Sequence, residues 1–93
     1  MQTHEPDVYL KAITLRDPLE VQVIKEDLKR QMIVIIRVTP LAQKSVDELR
    51  SVIDDLYKFV QSVGGDIARL GEERVVITPS KVKIWRGPYE FTR

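Results

Sequence analysis

Few residue types in this chain could carry chemistry. The 93 residues contain one histidine, His4, and no cysteine. A thiol nucleophile and a thiolate metal site are therefore excluded, and so is a disulfide framework. His4 sits in a polar terminal segment, where an incidental surface position is the expected role. Asp54 and Asp55 are adjacent on a helical pattern and project about 100° apart, which does not make a carboxylate pair for acid–base work. A solvated helix face accounts for them. No His/Cys spacing fits a metal site, and no metal or cofactor is expected. The stretch "VGGDIARLGEERVVITPS" holds Gly64, Gly65 and Gly71, three of the four glycines. A dinucleotide loop places its glycines after a strand and before a helix. Here they follow a helix and precede a strand, so no helix N-terminus faces a phosphate. They punctuate the fold, and the chain reads as a non-enzyme.

Those glycines lie between elements that the patterning defines. "DVYLKAIT" alternates Val8, Leu10 and Ala12 against Tyr9, Lys11 and Ile13, as a strand does. Asp17-Pro18 with Glu20 opens a helix through an N-cap, a proline in the first turn and a capping box. Val21, Ile24 and Leu28 form its buried stripe, with Leu19 and Val23 off it. "MIVIIRVT" is the strongest strand and stops at Pro40. Ser45 and Glu48 cap a second helix that runs to Val63 and ends at Gly64-Gly65. "DIARL" and "RVVIT" then form a hairpin across "GEE", and "KVKIW" is expected as a short last strand. The order is β-α-β-α-β-β-β: an α+β, two-layer sandwich with one sheet and two helices on one face. Residues 1–7 are expected as a disordered N-terminal segment, 8–86 as the folded core, and 87–93 as a flexible tail.

Composition narrows the function classes. The formal net charge is +1 with 31% charged residues, so no strong field draws nucleic acid or anionic lipid. The central strands offer Val and Ile where an RNA platform needs exposed aromatics. No nucleic-acid partner is expected. No apolar run is long enough to cross a bilayer, and the N-terminus lacks signal-peptide character. A cytoplasmic protein is expected. Asparagine is absent, which together with the dense charge hints at a heat-adapted source.

The apolar surface exceeds what two helices can cover. Ile33 and Ile35 alternate with Val34, Ile36 and Val38, while Val75 and Ile77 alternate with Val76. Both sets want cover. Val52 and Phe59 widen the apolar arc of the second helix to roughly 160°. Either the tail residues Tyr89 and Phe91 fold over the sheet, or a homodimer buries the surplus. The dimer is preferred, with Val34, Ile36 and Val76 as candidate interface residues.

The segments "PLEVQVIKEDLKRQMIVIIRVTPL" and "VDELRSVIDDLYKFVQSVGGDIARLGEERVVITPSKVKIW" resemble SepF, a cell-division protein family. The likeness spans residues 8–86 and lies nearest the archaeal branch. It rests on Val21, Ile24 and Leu28 ahead of the "VII" strand, on Gly65 and Ile67, and on Thr78-Pro79 before the last segment. Lys81 stands where the family often has Asn, and "VVIT" lacks a Phe common in bacterial members. The resemblance implies a dimeric core that binds the C-terminal tail of FtsZ at the division site, on the inner face of the cell membrane. It also implies tethering through an N-terminal amphipathic helix, which is not found here; a shortened chain is expected, with a short natural form as the alternative. The implied tail site is a groove of the second helix and the following strands. Leu56, Phe59, Val63, Ile67 and Val75 are the candidate apolar lining, and Lys58 and Arg69 the candidate partners for acidic groups. The alternative reading is a small-molecule-binding regulatory domain that forms an α+β dimer.

Overall fold

The structure, a computed structural model, describes residues 4–87. Its organising element is β2 (Ile33–Arg37), a β-branched run suited to a pleated strand flanked on both sides. β1 (Leu10–Thr14) lies parallel to it, and β4 (Arg74–Thr78) lies antiparallel on its other side. β3 (Asp66–Leu70) pairs antiparallel with β4, so the sheet order is β1-β2-β4-β3. The β1–β2 crossover contains a helical turn at Pro18–Glu20 and α1 (Val21–Lys29). The expected capping box is present: the Leu19 amide donates to Asp17 Oδ1 at 2.8 Å, and the Asp17 amide donates to Glu20 Oε1 at 3.2 Å.

α3 (Val46–Val63) starts at Ser45, whose hydroxyl accepts the Glu48 amide at 3.1 Å. It stops at Gly64 in the left-handed region, φ 82°. Gly65 is required for a different reason. A Cβ there would lie 2.2 Å from the Thr78 carbonyl oxygen, because the chain enters β3 hard against the end of β4.

α1 and α3 cover one face of the sheet. Val21, Ile24 and Leu28 of α1 meet Val52, Leu56 and Val60 of α3 over Val34, Ile36, Val75 and Ile77 in one core. Fully burying side chains of this size contributes roughly 1.5–3 kcal/mol each. Lys11 of β1 reaches the buried Asp27 of α1 at 2.9 Å, tying the crossover to the edge strand.

The α+β class, the single sheet and its helical layer are as the sequence implies. Three details differ. "KVKIW" forms no strand; residues 82–87 run free of any ladder. A third helix, α2 (Thr39–Lys44), follows β2 directly. Pro40 does end the strand, but it also occupies a first-turn helical position, where its missing N–H costs nothing, and Leu41 anchors the turn in the core. β1 is shorter than the alternation suggested, with Val8 and Tyr9 exposed. Tyr89 and Phe91 lie outside the described residues.

Candidate functional site

The sheet's pleat decides where each candidate residue goes. On β2, Val34 and Ile36 are both 0% exposed beneath the helices, and Val76 pairs in register with Ile35 on the opposite face. Of the expected interface residues, Val34 and Ile36 thus lie on the covered face and Val76 on the open one. A one-residue parity error is enough to move a side chain to the other face. The open face carries Ala12, Ile33, Ile35, Val76 and Ala68, with Leu10 and Leu70 about half exposed at its margins.

α3 sorts the remaining candidates by angle. Leu56 is completely buried at the centre of its apolar arc. Phe59 and Val63 fall on the flank toward α1, in a hollow of about 220 Å³ shared with Leu28, Lys29, Gln31 and Ser80. The Lys25 ammonium lies 5.7 Å from the Phe59 ring centre, a cation–π distance. Lys58 points to solvent and pairs with Asp54 at 3.2 Å. Asp55 accepts from Lys25 Nζ at 2.9 Å, so both aspartates serve surface and interhelix ion pairs. Ile67 packs on the edge of the core, and Val75 belongs to it.

The opposite flank of α3 forms a larger groove, of about 540 Å³, against α2 and the β3–β4 hairpin. Val38, Val46, Leu49, Ile53 and Val75 supply its apolar surface. Arg50, Arg69 and Arg74 stand on its walls with Glu72 and Glu73. The hairpin is held to the end of β2, where the Val38 amide donates to the Glu73 carbonyl at 2.8 Å. Glu73 is drawn to Arg37 at 3.7 Å, and Arg50 reaches Asp47 only at 4.0 Å. Among the described residues, Arg69 and Arg74 make no salt bridge. The groove continues along α3 into a second apolar hollow bounded by Leu49, Ile53 and Tyr57. Of the seven candidate tail-binding residues, it gathers Arg69 and Val75. The residues not anticipated are Val46, Leu49, Arg50 and Ile53. Their i, i+3, i+4, i+7 spacing marks one face of a helix, and that was the signal available for them.

Asp66 anchors a separate cluster at the start of β3. Its carboxylate accepts the Ile84 amide at 3.0 Å, the Ile67 amide at 2.9 Å and Arg86 Nη1 at 3.2 Å. Burial alone would raise its pKa, but these hydrogen bonds and the Arg86 charge outweigh it and hold the carboxyl below its ordinary range. Among the described residues, no group of three or more His, Cys, Asp or Glu side chains is placed to hold a metal ion, and no helix is long and apolar enough to cross a membrane.

The α+β core leaves one face of its sheet uncovered by the described residues and carries an arginine-rimmed apolar groove beside its helical layer. Residues 10–84 match the family described as cell division protein SepF, and the chain belongs to that family. No curated protein sequence matches it. Among solved structures, it is similar to a SepF-like protein from Archaeoglobus fulgidus, with 28% identity and a TM-score of 0.79 over 89% of this chain and 99% of that one. A SepF-like protein from Pyrococcus furiosus matches with 26% identity and a TM-score of 0.78, covering 89% of this chain and 100% of that one. Cell division protein SepF from Methanobrevibacter smithii, solved in complex with FtsZ-CTD, has the same fold at 13% identity, with a TM-score of 0.76 over 85% of this chain and 99% of that one.

Proposed function

We propose that this chain is a non-enzymatic cell-division adaptor whose core, residues 8–86, binds the C-terminal tail of FtsZ in the groove between α3 and the β3–β4 hairpin. The observation that carries this reading is the groove itself: an apolar floor of Leu49, Ile53 and Val75 beside Arg69, which makes no salt bridge among the described residues. Such a surface suits a short peptide that brings apolar anchors and at least one carboxylate. Membership of the SepF family and the Methanobrevibacter smithii protein's complex with FtsZ-CTD support the choice of FtsZ. Arg69 and Val75 remain site residues in this reading, and Val46, Leu49, Arg50 and Ile53 join them.

The core acts as a homodimer, with Ile33, Ile35 and Val76 on the open sheet face as its seam. In the cell it works at the division site on the inner side of the membrane, to which an N-terminal amphipathic helix tethers it. The test is fluorescence anisotropy of a labelled FtsZ C-terminal peptide titrated with this chain. Saturable binding that a scrambled peptide loses supports the adaptor. Absence of binding by a folded chain refutes it.

A further inference from the structure

Among the described residues, β3 has a strand neighbour on one side only, so its other edge presents backbone N–H and C=O groups that could template another strand. At the start of β3 those groups are engaged, by side chains. The Gly65 carbonyl accepts Lys83 Nζ at 3.0 Å, and the Ile67 carbonyl accepts Arg86 Nη2 at 3.3 Å. The Ile67 amide donates to Asp66 Oδ1, while Asp66 Oδ2 takes the Ile84 amide.

The chain reaches this position through a tight reversal after β4. The Lys81 amide donates to the Gly64 carbonyl at 3.1 Å and the Val82 amide to the Pro79 carbonyl at 3.2 Å. Lys81 adopts the left-handed region, φ 69°. The Thr78 hydroxyl donates to the Val82 carbonyl. Residues 82–87 thus run beside β3 without joining its ladder. A true fifth strand would be fixed by backbone bonds along its length; this segment hangs on four side chains, Asp66, Thr78, Lys83 and Arg86. From Arg69 onward, among the described residues, no hydrogen bond from the segment reaches β3.

We propose that residues 82–87 form a detachable strap, latched by Asp66, that keeps an added strand off the edge of β3. Lys83 and Arg86 occupy the acceptors that an incoming strand would need, and the strap's bulk fills its place. In a solution of the pure protein the strand at hand is β3 of a second copy. Antiparallel pairing of β3 with itself sets outward donors against outward acceptors on both chains. This assembly is separate from the sheet-face dimer and does not depend on tail binding.

Two variants test it: Asp66→Ala, which removes the latch, and Lys83→Ala/Arg86→Ala, which removes the plugs and leaves β3 itself intact. In the wild type, the Ile84 and Ile67 amides should be protected from hydrogen exchange. In both variants Ile84 should exchange at least ~10-fold faster while Val60 in α3 is unchanged, and the light-scattering mass should rise with concentration above the wild-type value. If Asp66→Ala also exposes Val60, it has unfolded the core, and the double variant decides. An Ile84 amide that exchanges at the unprotected rate in the wild type overturns the strap. A variant mass equal to wild type at every concentration overturns its guarding role.

Discussion

The two faces of the sheet are built from the same kind of residue and end in different circumstances. On one, Val34, Ile36 and Ile77 are wholly buried under α1 and α3. On the other, Ile33, Ile35 and Val76 keep part of their surface open, bordered by Leu10 and Leu70. Side chains of equal hydrophobicity therefore do different work: the covered set supplies fold stability, and the open set is available for association. In this chain α1 and α3 lie on one face, and a domain of this size buries a limited share of its surface on its own.

The sharpest way to break this comparison is to cut each face by the same amount. Ile36→Ala should destabilise the monomer by ~2–5 kcal/mol, the range for a large-to-small change in a packed core, read as a lower denaturation midpoint. Ile35→Ala should cost the monomer less, and its main effect should be a dimer that dissociates at higher protein concentration in sedimentation. Equal losses of stability from the two variants would contradict the division of labour.

The groove offers a second, smaller contrast. Arg69→Ala should weaken peptide binding about tenfold, or ~1.4 kcal/mol, while Lys58→Ala changes it little, because Lys58 is spent on Asp54 at the surface. Peptide titrations on both variants check this. The smallest effect concerns acid. Asp66 has a depressed pKa in the folded chain, so its contribution is present above the ordinary aspartate value of ~3.9 and fades as pH falls through the lower folded value. Exchange of the Ile84 amide should thus be constant across neutral and mildly acidic pH, once the intrinsic rate is divided out. Its protection should fall only in strong acid.

Much of the fold was legible because its signals are local. The Asp17 and Ser45 caps, the Gly64 stop and the alternation in "MIVIIRVT" each specify an element without help from distant residues. α2 was not legible in the same way, since Pro40 suits both a strand end and a helix start, and only the burial of Leu41 decides between them. "KVKIW" has strand composition, yet its backbone finds Asp66 and side-chain contacts in place of a ladder, and that competition is tertiary. The candidate site was half legible. The apolar arc of α3 could be read, but Phe59 and Ile53 lie on opposite flanks of it, and what stands beside each flank depends on how α1 and the hairpin pack. That Val34 and Val76 lie on opposite faces could not be read, because both look like strand interior until the β2–β4 register is known.

Chemical-shift mapping of this chain with an FtsZ C-terminal peptide tests the central claim most directly. The account predicts shifts concentrated on Val46, Leu49, Arg50, Ile53, Arg69 and Val75, with Phe59 and Val63 unmoved. Shifts centred on Phe59, Val63 and Leu28 would place the peptide on the other flank of α3 and contradict it.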